Sequence, residues 1–270
     1  MKILALETSA KAVSAAVCED GKLLCAAYQN TGLTHSQTLM PLVERMLKNA
    51  GLSVGEMDAI AAAEGPGSFT GIRIGIAAAK GLAFGADKPV IGVSTLAAMA
   101  RNICFADGWI LCAMDARRSQ IYNAIFYAHE GTLTRLTPDR AIALGDLADE
   151  LRRNPYENVP VPDFAEGTPA LNFAEGVPVP GFVNHSPVRK VDYPNPLHIV
   201  GDGAELCADF LNQCGIACQL APPHLIMQNA AAVAREAEIS GKLVSPGELK
   251  PFYLRPPQAV PPRSMNPETA

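Results

Sequence analysis

The sequence predicts two similar α/β lobes, because one pattern of strands and turns occurs twice in its 270 residues. The first copy reads strand, polar turn, strand, tight turn and strand over "KILALE", "TSAK", "AVSAAVC", "EDG" and "KLLCAAYQ". The second copy starts at Trp109 and repeats this order through "WILCAMD", "ARRS", "QIYNAIFYA", "HEG" and "TLTRL". Helical and strand segments follow each copy, which is typical of layered α/β lobes.

The clearest helix lies in "THSQTLMPLVERMLKNAG", where apolar residues recur at the spacing of one helical face. A capping box from Thr34 to Gln37 predicts its start, and Gly51 predicts its end. Pro41 removes one backbone donor and should kink the helix near its start. The apolar stripe consists of Leu39, Leu42, Val43, Met46 and Leu47.

The remaining segments complete the two lobes. "MDAIAAAE" and "KPVIGVS" read as strands of the first half, and "PLHIVGDGAELCADFLNQCG" reads as strand, glycine turn and helix in the second. A last amphipathic helix, at 226–240, should cross back to the first lobe. The predicted domains are a first lobe at 1–103, a second at 104–222, a returning helix at 223–245 and a loose Pro-rich tail at 246–270.

Composition excludes several classes of protein. The chain is 49 % hydrophobic and 18 % charged, as in soluble globular proteins, and its net charge of −5 gives no basic footprint for nucleic acid. No apolar run approaches the ~18 residues of a membrane span, and the first residues lack a signal-peptide pattern. The seven cysteines form no CxxC pair, which favours free thiols. A cytoplasmic location is therefore expected.

One internal segment departs from this pattern. Residues 154–196 contain nine of the 22 prolines, with Val-Pro-Val-Pro occurring twice. That density excludes a regular helix or a central strand. The segment reads as a surface excursion of extended chain, with docking of a partner as the alternative.

The stretch "EGPGSFTGIRIGIAAAKGLAFG" at 64–85 contains six glycines and resembles a phosphate-binding loop only superficially. It lacks the Gly-Lys-Ser/Thr ending of a Walker A loop, and Thr70 stands where a dinucleotide fingerprint needs its third glycine. Small residues instead recur every four positions, which gives a helix beginning after Ser68 one nearly bare face. Close packing against another helix is the favoured interpretation, with an anion at the start of the helix left open.

Five segments carry a resemblance to a known family. "ILALETS", "HSQTLMPLVERML", "DAIAAAEGPGSFTGIRIGIAAAKGLA", "PVIGVSTLAAMA" and "FYLR" resemble the bacterial TsaB (YeaZ-like) family. That resemblance implies the two-lobed, duplicated actin-like ATPase fold shared by acetate and sugar kinases, Hsp70 and actin. It also implies a role in tRNA processing, as a subunit of the machinery that places threonylcarbamoyl on an adenosine of tRNA.

The resemblance further implies a catalytic sister, TsaD, whose H-x-x-x-H metal pair corresponds here to Thr95 and Met99. Neither residue suits a catalytic iron or zinc ion, so no such metal is expected. The implied function is that of a noncatalytic partner subunit, which forms a heterodimer with TsaD and a homodimer when alone. A TsaE-like ATPase would join the assembled complex, tRNA would bind only through it, and ATP or ADP would sit at the interface with the partner.

A nucleotide-dependent ATPase or small kinase of the same fold is the alternative function. It would need acids between the lobes, for which Glu7 and Asp202 are the candidates, although no second acid follows Glu7 in sequence. The absence of H-E-x-x-H disfavours a peptidase. The candidate nucleotide or anion contacts are Thr8, Ser9, Gly65, Gly67, Gly201 and Gly203.

The partner interface is expected on the two helices of the first lobe, because their apolar stripe and bare face exceed what a small core needs. Together they would meet the equivalent pair of a partner in a four-helix packing. The predicted interface residues are His35, Leu39, Leu42, Val43, Met46, Leu47, Gly71, Gly75 and Ala79.

Overall fold

The computed structural model describes residues 1–153 and 196–255. The predicted Pro-rich excursion, except its last residue, and the end of the predicted tail lie outside these residues. In the first half the elements run in the order β1 Lys2–Glu7, β2 Val13–Glu19, β3 Lys22–Gln29, α1 His35–Ala50, β4 Ala59–Gly65, α2 Phe69–Ala86, β5 Val90–Ser94 and α3 Thr95–Arg101.

The second half repeats the meander of the first, with longer first and second strands and a shorter third strand. Its elements are β6 Gly108–Asp115, β7 Gln120–His129, β8 Thr132–Arg135, β9 Arg140–Ala143, α4 Leu144–Arg152, β10 Leu197–Val200, α5 Ala204–Gln213, β11 Gln219–Leu220, α6 Ala230–Ser240 and β12 Leu243–Val244.

The two sheets show the predicted duplication in their strand order. The first sheet has the order β12-β5-β4-β1-β2-β3, and the second β11-β10-β6-β7-β8, with β9 also paired to β7. In both sheets the three strands of the meander are antiparallel to one another. Two further strands lie beside the first strand of the meander and run parallel to it. The two meanders form separate sheets, which confirms the predicted fold class.

The second hairpin of each meander, β2–β3 in the first and β7–β8 in the second, has the same type of turn. Asp20 and Gly21 have φ of 49° and 76°, and Glu130 and Gly131 have φ of 47° and 76°. Two central residues with positive φ match the right-handed twist of the flanking strands. The acid–glycine pairs in the sequence therefore predicted both turns correctly.

Helices and sheets alternate in layers. Helices α1 and α2 cover one face of the first sheet, and α6 covers the other. Helix α3 packs against α6 and against the second sheet, so these two helices lie between the sheets. Helices α4 and α5 cover the outer face of the second sheet.

The last helix begins at Ala230, a turn later than the sequence predicted. Asn229 is its N-cap, because the side-chain oxygen accepts from the Ala232 amide at 2.9 Å. The helix packs on β1 and β2, and the chain then adds β12 to the edge of the first sheet. The domain boundaries given above remain predictions.

Candidate functional site

The candidate site lies where parallel strands of both sheets end. Strand β1 ends at Glu7 and β4 at Gly65 in the first sheet, while β10 ends at Val200 in the second. Turns that follow the carboxyl ends of parallel strands are where α/β folds build ligand sites. The six candidate nucleotide contacts fall into two groups, one at each sheet.

The first group surrounds the loop after β1. Thr8 and Ser9 are both buried, with 1 % of their surface exposed. Thr8 Oγ1 donates to the Gly71 carbonyl at 2.8 Å, and the Ser68 amide donates to the Ser9 carbonyl at 2.7 Å. The loop after β1 therefore packs against the start of α2, and an anion at that helix start stays a prediction.

The glycine face of α2 packs against this same loop. A Cβ atom at Gly71 would overlap the Thr8 carbonyl oxygen, and one at Gly75 would overlap Thr8 Oγ1. Ala79 is also fully buried. The interpretation that these three residues face another helix or a partner is wrong, since they allow α2 to approach the end of β1.

The apolar stripe of α1 is also used inside the lobe. Leu39, Val43, Met46 and Leu47 belong to the core between α1, α2 and the first sheet, with 1–6 % of their surface exposed. The neighbouring Leu42 is only partly buried. The prediction that this stripe faces a partner is wrong for its four buried residues, because they pack against α2 and one face of the first sheet.

His35, the remaining predicted interface residue, is half-buried at the start of α1. Its Nε2 lies 2.7 Å from the Ala10 carbonyl oxygen. This contact ties the helix to the loop after β1, so its observed role is within the chain.

The second group of candidates lies at the turn after β10. A Cβ atom at Gly203 would lie 2.7 Å from the Asp115 amide nitrogen, and one at Gly201 would overlap the Ala113 carbonyl. The Gly203 amide donates to that carbonyl at 3.0 Å. These glycines allow the turn to abut the end of β6, in the same way that Gly71 and Gly75 serve the first sheet.

The carboxyl groups of Glu7, beside the first group of candidates, and of Asp202, in the second, interact electrostatically across the lobes. Glu7 has 1 % of its surface exposed, and burial raises its pKa to about 7, an effect that hydrogen bonds from Ser9 oppose and Asp202 reinforces. Burial likewise raises the pKa of Asp202, whose Oδ1 accepts from Gln228 Nε2 at 3.0 Å. The second acid absent from the sequence around Glu7 is therefore supplied by the other lobe.

Thr95 begins α3 and Met99 lies one turn further along it, with 0 % and 1 % of their surface exposed. The Met99 methyl group abuts Gly201, and Thr95 Oγ1 has no hydrogen-bond partner among the described residues. Within 1–153 and 196–255, His, Cys, Asp and Glu side chains form no group of three or more that could hold a metal. Whether the chain binds iron or zinc stays a prediction.

Residues 246–255 are not loose as predicted. Leu249 is buried in the first core, and the Phe252 amide donates to the Glu64 carbonyl at 2.7 Å. Arg255 donates to the Ala116 carbonyl of the second lobe at 2.9 Å. This segment thus bridges the lobes beside the candidate site, an arrangement that proline content gave no reason to expect.

The same segment is attached to α2 by aromatic contacts. Tyr253 stacks on Phe69 at 4.8 Å between ring centroids, and Arg73 lies over Phe69 at 3.9 Å. Arg73 Nε donates to the Tyr253 hydroxyl at 2.8 Å. Sequence reasoning missed Gln228, Tyr253 and Arg255, because each acts through a contact distant in sequence.

These features define a class of protein: a duplicated two-lobed α/β protein with one buried and one half-buried carboxyl group between its lobes. A family model described as "TsaD: tRNA N6-adenosine threonylcarbamoyltransferase" matches residues 29–241, and the chain belongs to this family. Its curated relatives include the tRNA threonylcarbamoyladenosine biosynthesis protein TsaB of Escherichia coli, 38 % identical over 56 % of this chain and 65 % of that protein. The Bacillus subtilis TsaB is 34 % identical over 56 % of this chain and 66 % of that protein.

The predicted resemblance to the TsaB (YeaZ-like) family is thereby confirmed. The chain matches just under two thirds of the length of these relatives. Among solved structures, YeaZ from Pseudomonas aeruginosa superposes with a TM-score of 0.66 at 24 % identity, covering 94 % of this chain and 99 % of that one. This similarity confirms the two-lobed fold expected for the actin-like class.

Proposed function

We propose that this chain is a noncatalytic partner subunit of a TsaD-type threonylcarbamoyltransferase, required for modification of the adenosine at position 37 of tRNA. Membership in the family, together with relatives named TsaB, supports this role. Thr95 and Met99 support it further, because their buried side chains are poor ligands for a catalytic metal. Transfer would then depend on the partner.

The observation that carries the proposal is an unpaired outer face on neighbouring helices α1 and α2. Phe84 has 69 % of its surface exposed and Met40 43 %. Ala77, Gly81 and Gly85 are exposed on the outer side of α2, and a Cβ at either glycine would meet nothing within 4 Å. Small residues beside an exposed aromatic ring suit close approach of another helix.

The proposed interface therefore keeps the two helices predicted from the sequence but uses their opposite faces. We propose that a TsaD-type subunit binds this outer face, and that a second copy binds it when the partner is absent. A TsaE-like ATPase would join the pair, with ATP or ADP at the interface between subunits and tRNA bound only by the whole complex.

A cytoplasmic location accords with this role, since tRNA modification takes place there. Separately, no helix of the described residues has both the length and the apolar character needed to cross a bilayer.

Mixing experiments test the proposal. The purified chain alone should not transfer threonylcarbamoyl to tRNA, whereas addition of a TsaD-type subunit should give a complex by mass and restore transfer. Phe84→Glu should weaken that pairing tenfold or more, because removal of a central aromatic anchor costs about 2 kcal/mol or more.

Leu206→Glu is the matched control for this experiment. Leu206 has 46 % of its surface exposed and lies on α5, which covers the outer face of the second sheet. The proposed interface lies on α1 and α2, which cover the first sheet. Equal losses of pairing with both variants would show that surface charge alone causes the effect. Undiminished pairing of a folded Phe84→Glu chain would place the interface elsewhere.

A nucleotide-dependent ATPase or small kinase is the second candidate. The charge interaction between Asp202 and Glu7 favours it, since the two lobes together supply the two acids that such a reaction needs. ATP hydrolysis by the isolated chain, abolished by Asp202→Asn, would support this function over the first.

A further inference from the structure

A cavity lies between the lobes on the face of α3 that is turned away from the candidate site. Thr95 and Met99 share one face of this helix, and the Met99 methyl group abuts Gly201 at the candidate site. Ala97 and Arg101 are offset from that pair by two residues, which places them on the opposite face. They line a cavity of about 310 Å³ together with Phe126, Arg135, Glu236 and Ser240. Cavities of this size between domains commonly bind small molecules.

Arg101 carries donors that the protein leaves unused. Its side chain has 8 % of its surface exposed, and its Nε and Nη2 both donate to Glu236 Oε2, at 3.0 and 2.6 Å. No described residue accepts a hydrogen bond from Nη1, and yet Nη1 is not enclosed by protein atoms. Since Arg101 lines the cavity, two N–H groups of a buried cation are available to a molecule inside it.

The carboxylate oxygens around the cavity are already occupied. Glu236 Oε1 accepts from Ser240 Oγ at 2.6 Å, in addition to the two bonds that Oε2 accepts. Asp139, which is paired with Arg135, accepts from Arg135 Nη1 and from Ser94 Oγ, each at 2.5 Å. The charged side chains therefore offer unused donors without unused acceptors, so the cavity suits a head group that only accepts hydrogen bonds.

The charges and the apolar wall narrow the class of ligand. Arg101 and Arg135 each face one carboxylate already, so a head group with a single negative charge disturbs the balance of charge least. A carboxylate has this charge and accepts from a guanidinium group in its own plane. Phe126 and Leu133 supply apolar surface, and the Arg135 guanidinium lies over the Phe126 ring at 4.5 Å.

We propose that this cavity binds a small monocarboxylate with an apolar body. The carboxylate accepts from Arg101 Nη1, and the body lies against Phe126 and Leu133. The proposal concerns the isolated chain and uses neither the outer face of α1 and α2 nor the strand ends at Glu7 and Asp202. Its outcome is therefore independent of the partner role.

Binding of 2-naphthoate to the purified full chain tests this proposal. Calorimetry should give a stoichiometry of one, and the melting temperature should rise in a saturable way. The neutral amide of the same shape, 2-naphthamide, should bind at least tenfold more weakly, because it lacks the charge that the guanidinium group recognises.

Two variants locate the ligand. Arg101→Lys keeps a positive charge beside Glu236 but has no second terminal nitrogen, so it should weaken binding of 2-naphthoate at least tenfold. Ala97→Leu leaves every charge in place and fills part of the cavity, so it should weaken binding by a similar factor. Circular dichroism would establish that each variant is folded.

Arg140→Lys is the matched control, because Arg140 also pairs with a glutamate, Glu150 at 2.8 Å, but does not line the cavity. This variant should bind 2-naphthoate as the unmodified chain does. The proposal would be overturned by the absence of binding at millimolar concentration, by equal binding of 2-naphthamide, or by equal weakening in Arg140→Lys. Undiminished binding to folded Arg101→Lys and Ala97→Leu chains would also overturn it, whatever the pairing experiments show.

Discussion

Glu7 illustrates how a single residue takes its properties from the whole fold. In sequence it is one acid at the end of a strand, with local hydrogen bonds from Thr8 and Ser9. In the structure it is buried between two lobes beside a second carboxyl group, and its pKa rises from 4.5 to about 7. The residue therefore holds a proton at pH values where an exposed glutamate has lost it.

The stability of the protein should depend on pH through this group. Between about pH 4.5 and pH 7 the folded state keeps the Glu7 proton and the unfolded state does not, so the free energy of unfolding falls as pH rises. The loss amounts to about 3 kcal/mol over this window. Glu7→Gln should flatten the curve, as measured by urea unfolding at pH 5 and pH 8 with a chelator present.

Asp146→Asn, at an exposed acid in the first turn of α4, is the control for that measurement. This variant keeps the buried Glu7 carboxyl, so its stability should still fall between about pH 4.5 and pH 7. If Glu7→Gln shows the same slope as the unmodified chain, the buried carboxyl does not control the pH dependence.

Helix α2 shows at the scale of an element how one spacing of small residues serves two different surfaces. Gly71, Gly75 and Ala79 lie on its inner side, where Thr8 leaves no room for a Cβ at either glycine. Gly81 and Gly85 lie on its outer side, where a Cβ meets nothing within 4 Å. The same residue type is therefore required on one face and optional for folding on the other.

Substitutions on the two faces should separate these roles. Gly71→Ala should destabilise the chain by about 1–3 kcal/mol or more, because the added methyl group overlaps the Thr8 carbonyl. Gly81→Ala adds the same group in open space and should stabilise the helix by up to about 1 kcal/mol. Thermal and urea unfolding of both variants measure the difference, and equal effects would contradict the assigned packing.

A larger substitution on the inner face tests the same packing. Gly75→Leu should lower stability in urea unfolding rather than act through partner affinity, because Thr8 fills the space beside Gly75. A folded Gly75→Leu chain with normal stability but weakened pairing would instead support the interface predicted from the sequence.

Buried polar contacts join the two lobes at the scale of the whole molecule. Arg101 of α3 and Glu236 of α6 form an ion pair at 2.6 Å, with 8 % and 10 % of their side-chain surfaces exposed. Ser240 also donates to Glu236, at 2.6 Å. Because α3 and α6 lie between the two sheets, this ion pair joins the two helices against which the sheets pack.

Removal of one charge from this pair should be costly. Arg101→Met should destabilise the protein by about 3–5 kcal/mol, because it leaves Glu236 buried and uncompensated. The double variant Arg101→Met/Glu236→Met should recover most of that loss. Urea unfolding of both single variants and the double variant measures the coupling, and additive losses would show that the two charges act independently.

The sequence alone determined the local features of this protein. The acid–glycine turns, the duplicated strand order, the α1 stripe and the small-residue period of α2 depend on residues near one another in the chain, so pattern and backbone preference were sufficient. Only the tertiary structure decided what those features face. Thr8 packs against the bare side of α2, the charge of Asp202 in the other lobe acts on Glu7, and residues 246–255 pack against both lobes. These contacts join segments far apart in sequence, and burial and charge coupling arise only when the lobes come together.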